Sequence, residues 1–218
     1  MSKFYSLTLK NNKILQLPSV NTCLPPPAYM RFSPSTTWVG TRGHAIVERI
    51  IKGEVISTKE WEHTHPEVKQ AARAFVRFTQ MSKFIPVQAE VMVYSLEFGY
   101  AGTLDVLGKY RRRDSIGDFK TGDADIEATA MKLAAYDHAY FEMNPGIKPG
   151  ATWHIKIDRK TGVPTWIQYQ RKEVEKYFEM FCREKRKVID WVGRYDPKEI
   201  LKEELCQNQK RLSSIKVR

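Results

Sequence analysis

The segment YAGTLDVLGKYRRRDSIGDFKTG, residues 100–122, holds two carboxylates and a lysine at a spacing that suits metal-assisted chemistry. Asp105 closes the run Gly102-Thr103-Leu104-Asp105, and Asp118 and Lys120 flank Phe119. Side chains alternate along a strand, so Asp118 and Lys120 share one face while Phe119 enters the core. Strands pairing around the turn at 109–114 bring Asp105 near Asp118. Two adjacent carboxylates repel unless a cation lies between them. Carboxylate oxygens suit Mg2+ or Mn2+, and the main-chain carbonyl of Phe119 offers a third ligand. A metal there polarises a phosphodiester and lowers the pKa of a water. Lys120 adds a compact cation beside the charge that develops on phosphorus. The plainer alternative is a cross-strand ion pair in which Lys120 only neutralises Asp118.

The hydrophobic period shows which elements must position these groups. A helix is predicted from near Thr37 to the cap at Gly53, with His44, Val47 and Ile51 on one face. A second runs through PEVKQAARAFVRFTQ, 66–80, with Pro66 at its first position. The period then shortens to two over 88–95, 98–108 and 115–121, which predicts three consecutive antiparallel strands. A helix over 125–143, strands in ATWHIKID and VPTWIQYQ, and a long helix over 172–193 follow. The expected fold class is α/β, a central mixed β-sheet flanked by helices. Residues 1–37, broken by prolines, read as an irregular N-terminal arm. Residues 38–195 read as the catalytic domain and 196–218 as a basic C-terminal tail.

The 218 residues carry a formal net charge of +11, which favours a polyanionic partner such as nucleic acid. No apolar run reaches the ~18 residues of a membrane span, so no membrane partner is expected. The three cysteines form no CxxC pair, which gives no support for zinc or iron–sulfur ligation and fits a reducing compartment. The expected location is cytoplasmic, in a bacterial or phage setting, with an organelle as the alternative. No GxxxxGK[ST] loop is present, so no ATPase is expected in this chain.

LPSV (17–20), GTRGH with the following IVE (40–48), AEV (89–91), YAGTLD (100–105), DFKTG (118–122) and MKLAAY (131–136) occur in one order along the chain. That ordered set resembles the PD-(D/E)XK nuclease superfamily and, within it, the RecB-type exonuclease branch. It is most similar to the stand-alone group with mitochondrial genome maintenance, phage and bacterial members. The resemblance covers roughly residues 15–140 and implies the restriction-endonuclease-like core. It implies a Mg2+- or Mn2+-dependent DNA exonuclease that prefers single-stranded ends and acts in recombination, repair or replication beside proteins of those pathways. A structure-selective endonuclease on the same core, or a nucleic-acid-binding module without turnover, are the alternatives.

The resemblance also assigns roles. Asp105 and Asp118 match metal-binding carboxylates, Lys120 the catalytic lysine, and His44 the extra histidine ligand of the branch. Glu90 matches a motif acid that supports metal or water, or else partners Lys120. Glu48, one turn after His44, either orients that histidine or is a solvated helix charge. The branch's next motif usually reads Gln-Leu-x-x-Tyr. Here Lys132 takes the Gln position ahead of Tyr136, which adds a positive charge on the same helical face. Lys132, Tyr136 and Thr121 are expected to contact substrate. Arg111, Arg112 and Arg113 read as phosphate contacts beside the site, or as edge protection and solubility. Trp38, Tyr100, Trp153 and His154 are candidate stacking surfaces for unpaired bases, no more than one or two of which are expected to serve.

Overall fold

A computed structural model describes residues 4–9, 12, 14–25, 34–122 and 125–192. The predicted basic tail at 196–218 lies outside the described residues. Strands β1 (Phe4–Thr8) and β2 (Ile14–Pro18) form an antiparallel hairpin, followed by the short helix α1 (Val20–Cys23). Helices α2 (Pro34–Ile51), α3 (Thr58–His63) and α4 (Pro66–Ser82) precede three strands, β3 (Ile85–Ser95), β4 (Tyr100–Tyr110) and β5 (Arg113–Lys120). Helix α5 (Ile126–Met143), strands β6 (Pro149–Ile157) and β7 (Pro164–Tyr169), and helix α6 (Arg171–Val192) complete the order.

The main sheet runs β3-β4-β5-β6-β7. The β3/β4, β4/β5 and β6/β7 pairs are antiparallel, and β5/β6 is parallel. The parallel pair needs a crossover, which α5 supplies. The fold is therefore α/β, a mixed five-stranded sheet between helical layers, as the period predicted. One core lies under α5 and α6 and includes Leu104, Ile116, Leu133 and Phe181. The other lies under α2 and α4 and includes Val47, Phe75, Val106, Phe119 and Trp153. Each fully buried large side chain among these contributes roughly 1.5–3 kcal/mol.

Two parts of the prediction need correction. Residues 1–37 are not irregular throughout: Leu15 and Leu17 alternate with exposed Ile14 and Gln16, so the β1/β2 hairpin has a buried face. That face packs on Ala101 of β4, and Tyr5 Oη lies 3.1 Å from Thr103 Oγ1. Helix α3 was not anticipated. Its signal is Ser-x-x-Glu, in which Ser57 Oγ caps the helix by accepting from the main-chain N–H of Glu60.

Candidate functional site

Asp105 sits where β4 changes faces. Leu104 packs in the core beneath α5, and Val106, two residues on, packs in the core beneath α2 and α4. Residues two apart on a regular strand share a face. Asp105 marks the turnover and so lies at the seam between the two layers. On the neighbouring strand β3, Glu90 has φ 51, a left-handed conformation that a non-glycine residue adopts at a cost of roughly 1–3 kcal/mol. The β4/β5 ladder stops at Val106↔Gly117. Beyond it, the main-chain N–H of Phe119 donates to the Asp105 side chain, at 3.1 Å from Oδ2, instead of to the β4 main chain.

Helix α2 delivers His44 to the same seam. Its ring stacks on Phe119 with centroids 3.9 Å apart, and Nδ1 lies 3.8 Å from Asp105 Oδ2. Ligand atoms of His44, Glu90 and Asp105 all fall within 4.8 Å of one another. Burial lowers the His44 pKa below its ordinary 6.5, against the pull of Asp105. The imidazole is therefore neutral at pH 7, the form that binds metal. Burial, and then the charge of Asp118, raise the Asp105 pKa. One imidazole nitrogen and two carboxylates form a donor set compatible with a divalent metal ion.

Asp118 stands apart from that set. It has no exposed surface, and each of its oxygens meets an ammonium group. Lys132 Nζ donates to Oδ1 at 2.6 Å, and Lys120 Nζ lies 2.7 Å from Oδ2. An unpaired carboxylate at this depth would cost several kcal/mol. Burial pushes its pKa up, but Lys120 and Lys132 outweigh that and hold it far below the usual carboxylate range. The sequence-level alternative of a Lys120–Asp118 ion pair is thus present, with Lys132 as a second partner. His154, in parallel register with Asp118 on β6, is buried, and neither ring nitrogen has a hydrogen-bond partner among the described residues.

Solved structures similar to this chain include a candidate exonuclease from Eubacterium rectale. The two are 14% identical, with 74% of this chain and 68% of that one covered and a TM-score of 0.49. Another is the alkaline exonuclease LHK-Exo of Laribacter hongkongensis, at 10% identity, with 79% of this chain and 88% of that one covered and a TM-score of 0.32. No family model matches the chain. No curated protein matches it.

The other expected site residues divide between buried packing positions and surface positions away from the carboxylates. Tyr136 is buried and packs on Gly102, where an added Cβ would sit 2.5 Å from its Cε1, so its ring is structural on that side. Thr121 is buried against α2, with Gly40 and Gly43 making room for it. Arg111 and Arg112 form the two-residue β4/β5 turn, and Arg113 opens β5. Arg113 and Asp118 are five positions apart on β5, roughly 17 Å of strand, so the three arginines are not beside the carboxylates. Glu48 pairs with Lys52 at 2.6 Å, which makes it a helix-surface charge. Tyr100, Trp153 and His154 are buried and cannot stack on bases, whereas Trp38 is half exposed with Arg42 over its ring. The buried position of Trp153 was legible in part, since it alternates in phase with Ile155 and Ile157. No helix among the described residues is long and apolar enough to cross a membrane.

Proposed function

We propose that this protein is a metal-dependent DNA exonuclease of the RecB-type PD-(D/E)XK kind. The observation that carries the reading is the convergence of His44, Glu90 and Asp105 within 4.8 Å, beside the Asp118–Lys120 pair. These residues come from four elements in the motif order of that branch, so the arrangement is not a local accident of sequence. A divalent ion, Mg2+ or Mn2+, held by His44, Glu90 and Asp105 supplies Lewis-acid activation of phosphate and water. His44 offers a neutral nitrogen, fixed by stacking on Phe119. Asp105 is oriented by the Phe119 N–H. Lys120, tethered by Asp118, presents positive charge to the phosphate oxygens as they gain charge. The excess of basic residues favours a DNA strand over an uncharged substrate. Single-stranded ends are the preferred substrate, and recombination, repair or replication the setting, on the strength of the motif resemblance.

The test is cleavage of linear and circular single-stranded DNA with Mg2+, Mn2+ or EDTA, for the wild type and for Asp118→Asn and His44→Ala. Metal-dependent loss of the linear strand alone, abolished in Asp118→Asn and weakened in His44→Ala, is expected. Cutting of the circle makes the protein an endonuclease. Wild-type rates in both variants overturn the assigned site.

A further inference from the structure

Asp118 is held by two ammonium groups at once. Lys132 reaches Oδ1 from α5, and Lys120 reaches Oδ2 from β5 itself. The set of ligand atoms that converges for a metal does not include this carboxylate. The Lys132 side chain is only 12% exposed, and its Nζ lies 5.3 Å from the centroid of the Tyr136 ring. Tyr136 in turn is packed against Gly102. The ammonium is thus a fixed feature of the interior, unlike a surface lysine free to swing aside.

We propose that Lys132 is a built-in cation that takes the place of a second divalent ion beside Asp118, making this a one-ion centre. The proposal rests on the reading of the site as a metal-dependent nuclease. The charge tally sets the direction. Glu90, Asp105 and Asp118 bring three negative charges when ionised, and Lys120 and Lys132 return two positive ones. One divalent ion already makes the cluster positive by one, and a second would have to enter against that excess. A neutral group at position 132 leaves the cluster neutral after the first ion and frees an oxygen of Asp118 for another. Lys132 therefore limits the number of ions, weakens the hold on the one that binds, and keeps a permanent positive flank near the phosphate without drawing on dissolved metal.

The test is titration of the intact protein with Mn2+ alone, followed by loss of the free-ion electron paramagnetic resonance signal. Wild type is expected to take up one Mn2+. Lys132→Gln is expected to take up a second and to bind the first about tenfold more tightly. Adding Asp118→Asn to that variant should remove the second ion. Lys132→Met, which keeps the volume and removes the charge, repeats the measurement if Lys132→Gln folds poorly. The Mn2+-induced rise in melting temperature, larger in either variant than in wild type, reads the same difference. Two ions in wild type overturn the proposal, as does unchanged number and affinity in both variants. If wild type takes up at least one ion that His44→Ala loses, either failure leaves the nuclease reading standing. If wild type takes up none, both fall.

Discussion

The main-chain N–H of Phe119 donates to Asp105 Oδ2 at 3.1 Å, while the Phe119 ring stacks on His44. One residue between Asp118 and Lys120 thus holds two of the three groups that converge for a metal. The middle position of the Asp-Phe-Lys run is structural in its ring and directing in its backbone.

Asp105→Asn keeps an oxygen to accept the Phe119 N–H and removes the charge. Because burial raises the Asp105 pKa, its ionised form is disfavoured in the folded protein. The variant is expected to melt at or above the wild-type temperature. It should lose Mn2+ uptake and lower DNA cleavage by at least about a hundredfold. A lowered melting temperature with wild-type cleavage would remove Asp105 from the site.

Gly102 lies under the ring of Tyr136, and an added Cβ would meet Cε1 at 2.5 Å. Gly102→Ala is expected to cost about 1–3 kcal/mol through overpacking. Gly122→Ala, where a Cβ meets nothing within 4 Å, serves as the control with no measurable loss. Urea unfolding of both variants gives the comparison.

The β4/β5 turn places Arg111 at φ 49 and Arg112 at φ 64. Two left-handed residues in a two-residue hairpin are what Asn-Gly provides at least strain. Replacing the pair by Asn-Gly is expected to raise stability by about 1–2 kcal/mol, seen as a melting temperature higher by a few degrees. No rise would mean that the arginines make compensating contacts, such as that of Arg111 over the Tyr110 ring.

Asp137 on α5 is buried, and burial raises its pKa to about 6 even though Arg171 Nη1 lies 2.7 Å away. The folded state therefore keeps a proton that the unfolded chain has lost. Stability from this group is present below about pH 4 and declines as pH rises to about 6. Asp137→Asn cannot titrate. Relative to that variant, the wild type is expected to lose about 2–3 kcal/mol across this window. Denaturant midpoints measured for both proteins at pH 4, 5, 6 and 7 check the slope.

The amino-acid sequence by itself determined the main elements and most of the candidate residues. Hydrophobic periods of two and of about 3.6 are local, so β3 to β5, α5 and the β6/β7 hairpin could be read off with ends shifted by a few residues. Residue type and spacing singled out Asp105, Asp118 and Lys120, and the motif resemblance added His44 and Glu90. Tertiary structure alone decided how they divide. Glu90 joins His44 and Asp105 because its backbone turns left-handed opposite the point where β4 changes faces, and no composition rule reports that. Lys132 reaches Asp118 because α5 crosses back over the sheet to make β5 and β6 parallel. Tyr100 and Trp153 are sealed in the interior by helices distant in sequence, and His154 is buried on β6. Each element carries its own chemical groups, but burial and pairing across the sheet depend on what packs against each face, and that is settled only when the chain closes on itself.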